Sequence, residues 1–316
     1  MSTTTFFRIG IKTAVGVLVT GVLTAATFAE NTALNSVAVT VGDLENPFFV
    51  QIAHGAEAKA KEINPNVKFT ALSSNYDVNN QTNQIDNFIS SGVNLILLGA
   101  ADSKRIAPAV ERARQAGITV VAVDVGAEGG VDATVTSNNT QAGTEAGQYV
   151  AERLKGKGQI VIVNGPPVTA VTDRVAGFLE EINKHPDLKI LSQDQNAGGS
   201  RDGGMRVMSD LLKAFDKIDA VFAINDPTAI GCDLAAKQAK RKEFFIVSVD
   251  GSPEIVPFLK DPGSLVAASA AQDPYLMAQE AVKVGYKIIQ ARQALTLIRV
   301  GLITKENVTR YAGWSK

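Results

Sequence analysis

From Val37 onward the chain alternates short apolar runs with longer amphipathic segments. The apolar runs predict strands over 37–42, 67–73, 94–98 and 118–123, and the 3.6-residue spacing between them predicts helices over 47–63, 79–91 and 103–115. A second series repeats the plan, with strands near 159–163, 188–192, 219–223 and 244–249 and helices near 140–154, 170–184, 203–215, 227–239 and 253–260. The runs Leu95–Leu98 and Ile118–Val123 are apolar on both faces, as a parallel sheet covered by helices on both sides requires. Two successive strand–helix series predict an α/β fold of two doubly wound lobes, with a boundary near Asn138 to Thr140. Periodicity alone leaves the helix Pro274 to Gln290 and the tail Leu295 to Trp314 without a place.

The first 29 residues break the pattern. Arg8 and Lys12 are followed by an uncharged, mostly apolar run from Thr13 to Ala26, and Thr27-Phe28-Ala29 puts small residues where a signal peptidase reads. The run is shorter than the roughly 20 residues that span a bilayer, so a removable export signal is expected over 1–29. No cysteine adjoins the cleavage site, so soluble export is expected, to a periplasm or outside the cell. Net charge is −1, from 31 basic and 32 acidic residues, which gives no reason to expect nucleic acid as a partner. The single cysteine, Cys232, cannot form an internal disulfide and reads as a small buried hydrophobe. Two histidines, His54 and His185, are too few for a histidine-based triad or metal site.

In open parallel sheets ligands sit beyond the carboxyl ends of the strands. The polar strand ends are Gly42 to Asn46, Asp124 to Gly126, Asn225-Asp226-Pro227 and Asp250-Gly251-Ser252-Pro253. Proline suits the first helical position, so Asp226 and Ser252 are the expected caps, leaving Asn225 and Asp250 free for a ligand. An amide and a carboxylate at neighbouring strand ends suit hydroxyls that both donate and accept, although both could instead brace turns. Asn46 is itself the natural cap before Pro47. Phe48 and Phe49 point about 100° apart in a first helical turn, so one is expected to face the cleft and stack on the apolar face of a ring. Asp124 ends a very apolar strand, where a carboxylate could accept two hydroxyls or simply hold a turn.

Phosphate chemistry fails at the motif level. Asn164-Gly165-Pro166-Pro167 follows a strand, yet neither nucleotide-binding glycine pattern is present, and the prolines remove amides that a phosphate cradle would use. Gly198 to Gly204 reads as a capped turn, and Asp77-Val78-Asn79-Asn80 has too few carboxylates for a calcium loop. No metal or cofactor is expected.

Glu45-Asn46-Pro47-Phe48-Phe49, the Val123-Asp124 strand end, Arg174 to Phe178, Ala223 to Asp226, Val249 to Pro253 and Ala271 to Pro274 together resemble the ribose-binding-protein type of periplasmic solute receptor, in order over the whole chain from about Asn35. The resemblance implies two Rossmann-like lobes joined by a three-strand hinge, the type 1 periplasmic binding protein architecture shared with LacI-like regulators. It implies an N-terminal lobe of 35–138 plus 272–298 and a C-terminal lobe of 139–271 plus 299–316, with hinges near Asn138-Asn139, Ala271-Gln272 and Leu295 to Gly301. It implies a monomer that closes on a monosaccharide or polyol and delivers it to the membrane permease of an ABC importer, with a chemoreceptor or sensor kinase as a further candidate partner. Ligand contacts carried over by position are Asn46, Phe48, Phe49, Asp124, Asn225, Asp250 and Gln272. Ribose receptors have arginines where this chain has Val125 and Thr172, which argues against ribose and leaves Thr172 and Arg174 to fill part of the space. Two alternatives stand beside this reading: a secreted glycosidase-like enzyme using Asp124 and Asp250, and a LacI-like regulator core, which would need a helix-turn-helix where the export signal lies.

Overall fold

The computed structural model describes residues 33–292. The expected export segment 1–29 and the hinge expected at Leu295 to Gly301 lie outside the described residues.

The chain opens with β1 (Ser36–Val41), α1 (Pro47–Ile63), β2 (Lys68–Ser73), α2 (Val78–Ser90), β3 (Leu95–Leu98), α3 (Ala107–Gln115), β4 (Thr119–Val123) and β5 (Ala133–Val135). These strands form one parallel sheet in the order β2-β1-β3-β4-β5. Next come α4 (Asn139–Arg153), β6 (Lys157–Asn164), α5 (Thr169–Ile182), β7 (Asp187–Asn196), α6 (Arg201–Ala214), β8 (Ala220–Ala223), α7 (Asp226–Ala239), β9 (Phe245–Asp250), α8 (Val256–Lys260) and β10 (Val266–Ala271). They form a second parallel sheet in the order β10-β9-β8-β6-β7. The last described helix is α9 (Pro274–Arg292).

Each sheet is covered on both faces, which is why its central strands are apolar throughout. In the first lobe, α1 and α9 cover one face, with Ile52, Ala56, Ala278 and Val282 buried on it, and α2 and α3 cover the other through Ile85, Phe88 and Val110. In the second lobe, α6 and α7 pack on one face, and α4 and α5 on the other, where Phe178 of α5 stacks on Phe222 of β8 at 4.3 Å. Helices α4 and α5 approach so closely that a β-carbon at Gly177 would lie 2.1 Å from the Thr140 carbonyl oxygen; glycine is the only residue that fits. Cys232 is fully buried in α7, as its lone apolar setting suggests, and burial pushes its thiol well above the ordinary range.

Several elements depart from the sequence reading; α8 starts at Val256 instead of 253, and β7 runs on to Asn196 instead of 192. The short strand β5 extends the first sheet with three residues, too few for a readable pattern, and Val266–Ala271 becomes an edge strand of the second, its four alanines giving no β-branched alternation. Helix α3 starts at Ala107 instead of 103, because the Asp102 carboxylate accepts from the Lys104 and Arg105 amides and holds a preceding turn.

The chain leaves the first sheet after Val135 and enters α4, which packs on α5; it leaves the second sheet after Ala271 and enters α9, which packs on α1. Between the two sheets Val125 joins Val168, Val171 and Ile224 in one apolar cluster, so the layer where the lobes meet is partly dry.

Candidate functional site

The carboxyl ends of both sheets face a common small cavity of about 50 Å³. Its walls come from the turns after β1, β2, β4, β8 and β9 and from the start of α5. Asn46 caps α1, its Oδ1 accepting from the Phe48 amide at 3.0 Å. Immediately after the cap, Phe48 and Phe49 stand edge to face, with centroids 5.5 Å apart, and both line the cavity as well as the core.

Asp124 follows β4 in the left-handed region, with φ 68°. Its amide donates to the Val135 carbonyl and its own carbonyl accepts from Thr136 Oγ1, which fixes the turn through the backbone and leaves the side chain free. That side chain is buried, and Oδ1 has no hydrogen-bond partner. Burial raises its pKa to about 6, with Arg174 pulling the other way.

Arg174 enters from α5 and is nearly fully buried. Its Nε donates to Asn139 Oδ1 and its Nη1 to the Ile224 carbonyl, both at 2.9 Å, and Nη1 lies 3.7 Å from Asp250 Oδ1. Asp250 ends β9 with φ 132°, a strained conformation for an aspartate. Its Oδ1 accepts from Gln272 Nε2 at 2.9 Å and its Oδ2 from the Asp226 amide at 3.2 Å. Burial raises the Asp250 pKa to about 8; Arg174 opposes the shift and the Asp226 carboxylate adds to it. One guanidinium thus serves two buried carboxylates at the cavity.

The caps differ from the sequence reading by one residue. Asn225, with extended backbone, is the N-cap of α7: its Oδ1 accepts from the Thr228 amide and its Nδ2 donates to the Gly199 carbonyl. Its amide lines the cavity but is already committed to backbone groups. Asp226 is instead a fully buried brace, accepting from Ser248 Oγ and Ser269 Oγ, each at 2.6 Å, and from the Ser252 amide at 2.7 Å. These donors draw Asp226 into the first turn, so Pro227 occupies the second helical position and the cap falls on the residue before Asp226. Ser252 Oγ accepts from the Ile255 amide and caps the turn that leads into α8.

Two other expected residues stand apart from the cavity. Thr172 is exposed on α5, and its hydroxyl donates to the Thr169 carbonyl one turn back. Gln272 does not line the cavity; it positions Asp250 from behind. Beside the apolar and glycine residues of the lining, one residue with a polar side chain was missed. Tyr76 follows β2 in the left-handed region at φ 54°, and its ring packs edge-on against Phe49 at 6.2 Å. Desolvation and the nearby Asp124 carboxylate push its hydroxyl above the ordinary tyrosine range. The same strand-end rule that selected the other turns, applied to β2, would have found it.

Residues 37–293 match the model of a periplasmic binding protein domain. The chain belongs to the periplasmic binding protein family. It is 30% identical over 269 residues to the ribose import binding protein of Bacillus subtilis, covering 84% of this chain and 86% of that protein. It is 33% identical over 251 residues to the xylitol-binding protein of Mycolicibacterium smegmatis, covering 77% and 70% respectively. Among solved structures, an ABC transporter solute binding protein from Bacillus halodurans with bound myo-inositol superposes with a TM-score of 0.75 at 25% identity, covering 89% of this chain and 98% of that one. All three relatives are named as binding proteins, and the solved one shares the fold of this chain.

Proposed function

We propose that this chain is a periplasmic receptor that holds a small sugar or sugar alcohol between its lobes and hands it to the permease of an ABC importer. The observation that carries this reading is the unpartnered, buried Oδ1 of Asp124 beside the Phe48–Phe49 pair. A buried acceptor without a donor is costly, and a ligand hydroxyl supplies the missing bond while its ring or chain packs on the aromatics. The relatives named for ribose and xylitol, and the structure holding myo-inositol, support a polyhydroxylated ligand. Asn46, Phe48, Phe49, Asp124, Arg174, Asn225 and Asp250 are the proposed ligand-facing residues, with Tyr76 added and Gln272 acting through Asp250.

The two crossings after Val135 and Ala271 support hinges at Asn138-Asn139 and Ala271-Gln272 and a lobe boundary at each; the lobe continuations expected over 293–316 lie outside the described residues. Residues 1–29 are the proposed export signal, and a chemoreceptor or sensor kinase is a further proposed partner. The test is a calorimetric titration of pentoses, hexoses and their alcohols, paired with small-angle scattering. Micromolar binding, worth about −8 kcal/mol, together with compaction on addition of ligand is the expected result. A protein that binds none of them refutes the reading.

A further inference from the structure

The cavity lining divides by chemistry. Asp124, Asp250 and Arg174 line it together with Asn46, Tyr76 and Asn225, while Val125, Val168, Val171 and Ile224 cluster into an apolar wall, none more than 6% exposed. What makes that wall distinctive is that its backbone offers no donors either. The amide of Val125 donates to the Val123 carbonyl at 2.8 Å, that of Val168 to Pro166 at 2.8 Å, that of Val171 to Val168 at 3.1 Å and that of Ile224 to Val163 at 3.3 Å. Two of its carbonyls are occupied as well: Val168 accepts from the Val171 and Thr172 amides, and Ile224 from Arg174 Nη1. A ligand hydroxyl turned toward this wall would lose its water and find no donor, whereas a methyl or methylene group there would gain contact.

Resting on the receptor reading above, we propose that the preferred ligand is a deoxygenated sugar or polyol, with hydroxyls on the edge that meets Asp124, Arg174 and Asp250 and an unhydroxylated or methyl-bearing carbon against Val125, Val171 and Ile224. The polar edge supports a neutral compound. Its two carboxylates and single guanidinium make it an acceptor-rich site that suits hydroxyl donors and disfavours sugar acids and sugar phosphates.

The experiment is calorimetric titration of the purified protein with matched pairs that differ by one oxygen: D-fucose against D-galactose, L-rhamnose against L-mannose, and 2-deoxy-D-ribose against D-ribose. The expected result is a deoxy member that binds at least about tenfold more tightly than its parent in one or more pairs, the scale on which a single group discriminates in an apolar pocket. V171T, which puts a hydroxyl in nearly the same volume on the wall, is expected to bring that ratio below about threefold. If binding is confined to the hydroxylated members, or is equal within each pair, the deoxy assignment is wrong while the sugar-receptor reading stands. If none of these compounds and no other sugar or polyol binds, both fall together. A ratio that V171T leaves unchanged overturns the role given to the wall, and the wild-type ratio can be judged even where that variant folds poorly.

Discussion

The ring of Tyr76 lies where a side chain on Gly42 would be: a β-carbon at position 42 would come within 2.4 Å of Tyr76 Cε1. The glycine in the middle of the first ligand turn is therefore a seat for an aromatic from the next strand end, and the Tyr76 amide donates to the Gly42 carbonyl at 3.0 Å to keep it there. G42A must push the ring outward. Overpacking of this kind costs about 1–3 kcal/mol, so the variant should fold with a lowered melting temperature and show weakened ligand binding by calorimetry. Unchanged affinity would mean that Tyr76 has no part in the site.

Asp124 should separate stability from function. D124N removes a buried charge with an unpartnered oxygen, whose pKa of about 6 against an ordinary value of 3.8 corresponds to roughly 3 kcal/mol at high pH. The apo protein should therefore melt higher at pH 8 while losing at least about tenfold in sugar affinity. A variant that is destabilised would show Asp124 to be a structural brace.

The pH dependence has a definite sign. Asp124 and Asp250 both have folded-state pKa values above their unfolded value of 3.8, at about 6 and about 8. The native state thus binds more protons than the unfolded chain between pH 4 and 8, and stability falls as pH rises through that window. Apo melting scans should show a higher midpoint at pH 5 than at pH 8. A flat profile would place both carboxylates in a wetter setting than the geometry describes.

Asp226 should be unforgiving. D226N replaces one acceptor oxygen by a donor group facing Ser248 and Ser269 hydroxyls or the Ser252 amide. Losing charge-assisted bonds at a fully buried site costs about 3 kcal/mol, read as a fall in the chemical denaturation midpoint with an unchanged slope.

Thr172 provides the contrast. It is exposed and bonded only to its own helix, so T172A should leave sugar affinity unchanged and alter stability by no more than about 0.5 kcal/mol. A large loss of affinity in a titration would return it to the site.

The sheets and their helices were legible because Leu95–Leu98 and Val120–Val123 read as central parallel strands, and because Pro47 and Pro227 stand in the first turn of their helices; Pro253 instead opens a turn ahead of α8. The strand-end rule then led to Asn46, Asp124, Asn225 and Asp250, all of which line one cavity. What stayed hidden depended on three-dimensional neighbours. The cap of α7 shifted by one residue because Asp226 had three donors waiting on β9, β10 and the following loop, and none of them is near it in sequence. Tyr76 was within reach of the strand-end rule, but its seat was not, because Gly42 is 34 residues away and signals only by lacking a side chain. The short strand β5 has three residues and no pattern long enough to read.

Cys232 also has a practical consequence. Because the only thiol in the chain is sealed inside α7 and held in its protonated form, it should ignore maleimide reagents under native conditions. A single cysteine placed at the cleft rim, for instance at the exposed Asn75, would then be the one position that takes a fluorescent label. The unmodified scaffold is in that sense already prepared to report, by emission, when its cavity fills.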